Sequence, residues 1–344
     1  PRLRQRVQTA PGNIGAPTWV NDSDFDINMH VRRIALPKPG TERQLFDLAS
    51  LICADPFDRS RPLWQFTVIE GLQNDRAAII QKLHHTIADG ESGVQLSLKY
   101  LDFERDVVQP ITPNPDEIDS AREDLRDADT KAADAVRDVL ASGLRFPLEV
   151  AKQVKELLAD PGQLPDASNA AADTFRGIVS QLSDTEAAHS PLWTDRSARR
   201  RIERATAPFD DTKAAATALG GTLNTAFMTI ATEAASRYHV ALDAPVDFLR
   251  SSMATSTRTE ASGANAFSLV RLLVPTSEMP IDERFRAIQN ATAHAIEDSS
   301  NTSLDALAAL ASAMPTSLIT RLARQQAQTV DFATSNVRGA PVPL

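Results

Sequence analysis

Apolar residues along this chain change period several times. Trp19-Val20 and the run Asp26-Ile27-Asn28-Met29-His30-Val31 alternate roughly as strands do. Pro37 and Pro39-Gly40 break the chain. From Glu42 to Cys53 the residues Leu45, Phe46, Leu48, Leu51 and Ile52 recur at helical spacing, which predicts a helix with one apolar face and Cys53 on it. Trp64-Gln65-Phe66-Thr67-Val68-Ile69 and Ala77-Ala78-Ile79-Ile80-Gln81-Lys82-Leu83 read as two strands, rich in β-branched and aromatic residues. Gly71 and Asn74-Asp75 between them supply turn chemistry, so the pair reads as an antiparallel hairpin. With its midpoint near Asn74, residue i faces roughly residue 148 − i, which sets Leu63 and Trp64 across from His85 and His84, give or take two residues. Beyond Gly90, the spacing of Val94, Leu98 and Leu101 predicts a helix starting near Glu91, an acidic residue favourable at the positive helix end.

Residues 109–195 differ from their flanks. Pro110, Pro113 and Pro115 open a loop, acidic Ala-rich amphipathic pieces follow, and Pro161-Gly162 and Pro165 close them, as in a helical connector. The second half, 196–344, resumes with a helix from Lys213 to Leu219 stopped by Gly220-Gly221. A helix from Thr222 to Tyr238 then carries Leu223, Phe227, Ile230 and Ala234 on one stripe. Strand-like runs at Pro245–Leu249 and Phe267–Val274 precede helices at Ile281–Ile296 and Leu304–Ala327. Strands and helices mix in both halves, which predicts an α/β protein divided as 1–108, a connector over 109–195, and 196–344. The words Pro62-Leu63-Trp64 and Pro191-Leu192-Trp193 repeat, but their flanks do not match, and no internal duplication is read from them.

Composition narrows the function classes. The 344 residues suggest about two domains, and 42% hydrophobic with 24% charged residues is too apolar for a disordered chain. A net charge of -9 argues against a general nucleic-acid binder, which needs a basic face. A single cysteine rules out an intrachain disulfide and disfavours a cysteine-based zinc site. There is no run of about 18 apolar residues, so no membrane-spanning helix is expected, and Pro1-Arg2-Leu3-Arg4-Gln5-Arg6 is followed by no apolar signal-peptide core.

The chemistry concentrates in His84-His85-Thr86-Ile87-Ala88-Asp89-Gly90. By composition such an H-H-x-x-x-D-G word arises by chance ~3 × 10⁻⁴ times, so it is specific as motifs go. It stands where a strand passes into a helix, a junction that aims side chains into clefts. Adjacent strand residues face opposite ways, so one histidine of the pair faces a given cleft, and a neutral imidazole there accepts a proton from a hydroxyl. Asp89 fixes the local backbone or pairs with an arginine, and Gly90 leaves room for close approach of a ligand. Zinc would need converging ligands where these two histidines diverge, and a serine hydrolase would need a G-x-S-x-G elbow that the chain lacks. A buried, hydrogen-bonded histidine pair is the bland alternative.

The motif resembles that of the coenzyme A-dependent acyltransferase superfamily, which includes chloramphenicol acetyltransferase and peptide-synthetase condensation domains. The flanks select a branch. Trp19, Phe25-Asp26-Ile27-Asn28-Met29-His30-Val31, Asp58-Arg59-Ser60-Arg61-Pro62-Leu63-Trp64 and Ile69-Glu70-Gly71-Leu72 resemble the bacterial wax ester synthase/diacylglycerol acyltransferase family. Gly220-Gly221-Thr222-Leu223-Asn224 and Asn336-Val337 with Gly339 and Pro341 resemble its later motifs. The resemblance implies a two-domain chloramphenicol acetyltransferase-like fold with mixed sheets and a tunnel between the halves. It implies acyl transfer from acyl-coenzyme A, a co-substrate with no resident cofactor or metal, to a hydroxyl lipid (diacylglycerol or a long-chain alcohol). His85 would be the general base, with His84, Asp89 and Gly90 beside it, and Arg258 would pair with Asp89. Pro62, Leu63, Trp64, Asn224 and Asn265 would touch substrate. Trp64 otherwise packs its strand, and Asn224 otherwise caps its helix. Arg199-Arg200-Arg201 would meet the coenzyme phosphates or remain a solvated run. The Leu304–Met314 and Leu318–Arg324 segments would dock on a membrane or lipid inclusion, or pack as core helices. A cytoplasmic place, peripheral to the inner membrane face or lipid inclusions, follows.

Some positions depart from the family pattern. Asn224-Thr225 stands for Asn-Asp, Ala264-Asn265 for Gly-Asn, and Trp193 for Asn. The resemblance also implies that an N-terminal strand and helix and a C-terminal segment of the family lie outside this chain. Alternative readings are a carrier-protein-dependent condensation-type acyltransferase and a degenerate lipid- or acyl-coenzyme A-binding protein.

Overall fold

A computed structural model describes residues 2–9, 17–102, 188–194, 196–256, 267–299, 320, 324 and 327–339. The connector and the helices expected between Leu304 and Ala327 lie almost wholly outside the described residues, as do Arg258 and Asn265.

The N-terminal half begins with a small antiparallel ribbon, β1 (Gln5–Gln8) against β2 (Thr18–Asn21). The alternating run after it splits. Ile27–Met29 is a 3-10 turn, because the Asp26 carboxylate accepts the Asn28 backbone N–H at 2.9 Å and draws the chain round, and β3 starts at Val31 (Val31–Ala35). Helix α1 (Glu42–Ala54) starts at a capping box formed by Thr41 and Gln44. Leu51 on it is 68% exposed and Cys53 is exposed, contrary to the one-sided apolar face expected.

Strands β4 (Trp64–Leu72) and β5 (Arg76–Leu83) form the hairpin, with Asn74 and Asp75 at positive φ in its turn. Their register pairs Trp64 with Leu83 and Ile69 with Ala78, but Leu72 with Arg76. The irregularity between Ile69 and Leu72 contains Gly71 at φ 79°, and the extra residue there shifts the pairing by one, within the two residues expected. Leu63 therefore faces His84, whose N–H donates to the Leu63 carbonyl at 3.0 Å. With β3 parallel to β4, the sheet order is β3-β4-β5. Helix α2 (Gly90–Ser97) follows the motif loop. The core here is aromatic: Leu63, Trp64 and Ile87 are buried, with Trp19, Phe25, Phe57 and Phe66 packed around them.

In the C-terminal half, α3 (Phe209–Ala218) begins ahead of the expected start. Helix α4 (Leu223–Ala241) presents its apolar stripe outward, with Phe227 37% and Ile230 55% exposed. Its buried face carries Thr225, Met228, Thr229, Thr232, Ala235, Ser236 and His239. Small side chains allow close packing, and hydroxyls on that face bond to backbone carbonyls, Thr229 to Thr225 and Ser236 to Thr276. The strands β6 (Phe248–Ser256) and β7 (Phe267–Pro275) pair antiparallel, and α5 (Ile281–Ser299) packs on β7 and α4. Buried Arg284 joins α5 to α4 through Glu233 at 2.9 Å and donates to the Pro275 and Ser277 carbonyls. A strand not foreseen in the sequence, β8 (Phe332–Thr334), adds parallel to β6, giving the order β7-β6-β8.

Buried Asp331 sets that last strand. Its carboxylate accepts the backbone N–H groups of Ser190 (2.7 Å), His189 (3.2 Å) and Arg250 (2.7 Å). Ser190 donates its hydroxyl to His239 Nε2 at 2.8 Å, since His239 Nδ1 is engaged with the Ala235 carbonyl. The halves are tied where Arg43 of α1 meets Glu203 at 2.9 Å and the Ile202 carbonyl at 3.0 Å, and Arg204 meets Glu42 at 3.0 Å.

Candidate active site

The approach to the motif is set by Asp58. Its carboxylate accepts the Ser60 N–H (2.9 Å) and hydroxyl (2.6 Å), and these bonds hold its pKa below the usual carboxylate value. Pro62 and Leu63 then enter the core, and Trp64 follows at 5% exposure. The Trp64 indole N–H donates to the Leu3 carbonyl at 2.7 Å. Its ring stacks on His30 at 4.6 Å, and His30 Nδ1–H donates to the Trp64 carbonyl at 2.8 Å. Phe25 packs against both, 5.2 Å from His30 and 6.5 Å from the Trp64 ring. Pro62, Leu63 and Trp64 are thus placed in the packed wall behind the strand that carries the histidines. His30, absent from the candidate residues, is the buried partner that holds this wall.

The two histidines stand just past the end of β5 and are held differently. A tight turn closes with the Ile87 N–H donating to the His84 carbonyl at 2.8 Å. Inside it, His84 Nδ1 accepts the Thr86 backbone N–H at 3.2 Å and lies 2.9 Å from the Thr86 hydroxyl. Because a backbone N–H only donates, Nδ1 carries no proton and the neutral ring holds it on Nε2. Burial, and then electrostatic repulsion from Arg59 and from the neighbouring imidazole, push the His84 pKa below its ordinary value. His84 is therefore a neutral, half-buried brace of the turn. His85 is exposed. Among the described residues no group of three His, Cys, Asp or Glu side chains is placed to hold a metal.

Asp89 and Gly90 do local and distant work respectively. Buried Asp89 is the N-cap of α2 and accepts the Ser92 N–H at 2.8 Å. Gly90 is the point of contact with the other half: a Cβ there would stand 2.7 Å from Val337 Cγ2. The neighbour that needs the missing side chain is thus Val337 of the same chain, where a ligand was expected. The next residue back, Asn336, donates to Asn224 Oδ1 at 3.3 Å, and Asn224 Nδ2 reaches Met253 Sδ at 3.2 Å. Asn224 does not cap α4. Thr222 does, accepting the Thr225 N–H at 3.2 Å, with the two threonine hydroxyls 3.0 Å apart. The segment after β8 therefore joins two motifs distant in sequence, the Asp89-Gly90 corner and the start of α4. Trp193 lies on the C-terminal core, edge-on to His239 at 4.6 Å.

The wax ester synthase/diacylglycerol acyltransferase catalytic domain profile matches residues 1–227. A putative diacylglycerol O-acyltransferase of Mycobacterium tuberculosis is 31% identical over 330 residues, 92% of this chain and 64% of the relative. A probable diacylglycerol O-acyltransferase of the same organism, tgs3, is 33% identical over 217 residues, 61% of this chain and 74% of the relative. The chain thus spans 64% of the length of the first of these relatives. The wax ester synthase/diacylglycerol acyltransferase from Marinobacter aquaeolei VT8 superposes with a TM-score of 0.59 at 21% identity, covering 99% of this chain and 70% of that one, which establishes the two-half, chloramphenicol acetyltransferase-like fold with mixed sheets. With two thirds of its length under one catalytic-domain profile and its fold shared, the chain belongs to the wax ester synthase/diacylglycerol acyltransferase family.

Proposed function

We propose that this protein transfers a long-chain acyl group from acyl-coenzyme A to a hydroxyl lipid, diacylglycerol or a long-chain alcohol, with His85 as general base. The observation that supports this most is the different setting of the two histidines: His84 Nδ1 braces the Thr86 turn, while His85 is exposed on the loop that runs on to Gly90, where the other half makes contact through Val337. In the proposed reaction His85 takes the hydroxyl proton as the acceptor oxygen attacks the thioester carbonyl. The tetrahedral oxyanion then collapses, the C–S bond breaks, and the imidazolium returns the proton to the coenzyme A thiolate. General-base assistance is worth about 10²–10⁴-fold, and holding both substrates in register contributes roughly 7–11 kcal/mol. No acyl-enzyme is needed.

Asn224 is the proposed oxyanion donor. Asn336 holds its carbonyl end, leaving the two Nδ2 hydrogens for the Met253 thioether and a developing negative charge. Acyl-coenzyme A enters as co-substrate, with no resident cofactor. The reaction belongs at a lipid surface, the inner membrane face or a lipid inclusion, because the acceptor lipid and the ester product are insoluble in water; among the described residues no helix is long and apolar enough to cross a membrane.

The test incubates the protein with palmitoyl-coenzyme A and either diacylglycerol or hexadecanol. Triacylglycerol or wax ester is expected, together with free thiol, and the product names the acceptor. His85→Ala is expected to lower kcat by about 10²–10⁴-fold with an unchanged melting temperature. Full turnover by His85→Ala, or ester formation only from a carrier-protein thioester, would overturn the proposal.

A further inference from the structure

A cavity of about 550 Å³ lies between the N-terminal segment and α2, on the stretch of motif loop that follows His85. Its size falls within the roughly 300–1,000 Å³ of small-molecule sites. Leu3, Ile87, Ala88 and Leu96 contribute apolar wall, and Ile87 is 4% exposed. Three cations, Arg2, Arg4 and Lys99, line the same cavity and are exposed, so the charge stands at the mouth and the apolar surface at depth. Glu91 is the one carboxylate of the lining; three cations against one anion leave a positive balance. Among the described residues none of the three cations forms an ion pair. Aromatic faces hold two of them instead: the Arg2 guanidinium lies 4.5 Å over Trp19, and that of Arg4 lies 5.1 Å over Phe25.

An apolar recess topped by cations that no described carboxylate pairs fits a molecule with a hydrocarbon chain and a negative head. We infer that this cavity binds a single-chain amphiphile with an anionic head group, carboxylate or phosphate, its chain against Leu3, Ile87 and Leu96 and its head on Arg2, Arg4 and Lys99. The binding requires no turnover and is independent of the proposed reaction.

Calorimetric titration of the full chain with dodecanoate, dodecyl phosphate and dodecanol, each below its aggregation concentration, tests this. Both anions are expected to bind, and dodecanol at least about tenfold more weakly, the factor carried by a charge-assisted contact. Affinity for the anions falls as salt is added, because the charges at the mouth are screened. The combined Arg2→Gln, Arg4→Gln and Lys99→Gln variant brings the anions down to the level of dodecanol, while Gln95→Trp, which fills the cavity, abolishes binding of all three. A preference for dodecanoate names a fatty acid as the source of the head group, and one for dodecyl phosphate names a phospholipid-type head. The inference is overturned if dodecanol binds as tightly as the anions, if the triple variant keeps full anion affinity, or if the protein takes up phosphatidylglycerol vesicles but no monomeric amphiphile. The salt titration of the unaltered protein decides the matter even where a variant does not fold: anion binding insensitive to salt also overturns it.

Discussion

The two halves solve the same packing problem with different means. In each, a central strand has one parallel and one antiparallel neighbour, β4 between β3 and β5, and β6 between β8 and β7. In each, the tryptophan of a Pro-Leu-Trp word rests 4.6 Å from a buried histidine, Trp64 on His30 and Trp193 on His239. The N-terminal half achieves its arrangement locally. A hairpin turn, the brace between His84 and Thr86, and the Asp89 cap lie within one continuous stretch and aim the motif loop. The C-terminal half is closed from a distance. One carboxylate, Asp331, gathers backbone from residues 189, 190 and 250 and sets the strand that delivers Asn336 and Val337 to the motif. The chemistry therefore sits on a locally determined loop, while its completion depends on long-range assembly.

This contrast is open to direct attack. The largest stability effect is expected at Asp331. Asp331→Ala leaves three backbone donors without their acceptor, at roughly 1–3 kcal/mol each, so urea titration should show a loss of at least about 3 kcal/mol. A variant melting like the parent would show that the second half closes without this tie. Next comes the contact between halves. Gly90→Ala adds a Cβ that would strike Val337, and overpacking of this kind costs about 1–3 kcal/mol. A net loss in stability and turnover is expected, recovered in the double variant with Val337→Ala. If the second substitution restores nothing, the contact is not what makes glycine necessary.

A smaller effect separates the two histidines. His84→Ala removes the acceptor for the Thr86 N–H and should cost about 1 kcal/mol. His84→Asn, whose carbonyl oxygen replaces Nδ1, should restore most of it, and neither should approach the turnover loss of His85→Ala. Equal losses for His84→Asn and His85→Ala would break the division of labour. The smallest effect concerns pH. With the His84 pKa lowered in the folded state, the unfolded chain takes up its proton first on acidification. The contribution is therefore fully present above the unfolded value near ~6.5 and drains as pH falls through the lower folded value. Melting curves between about pH 7.5 and about pH 5.5 should lose stability less steeply in His84→Asn than in the parent.

Legibility in the sequence followed the same division. The hairpin, α1, α2 and the helix at Ile281 were marked by caps, turn residues and periodicity over a few neighbours. Local pattern and structure part where one bond intervenes, and an extra residue fixes what spacing leaves open by a residue or two. Asp26 bends the Asp26–Met29 run into a turn, and the irregularity at Gly71 settles the hairpin register, within the two residues expected, at His84 opposite Leu63. The stripe of Phe227 and Ile230 on α4 was legible as a pattern, but its outward direction was not. Periodicity says that a helix has two faces, whereas the hydroxyls and small side chains that let α4 settle against its neighbours decide which one is inside.

By itself, the sequence determined the motif, its seat between a strand and a helix, the aromatic wall word Pro62-Leu63-Trp64 and the family. These depend on residue identity and on forces acting within a turn or a hairpin. Only the tertiary structure decided that Gly90 receives Val337, that Asn336 meets Asn224, that His84 is a brace and that Asp331 closes the second sheet. Those outcomes rest on burial and on hydrogen bonds between residues far apart in the chain, where no local spacing records which donor will find which acceptor.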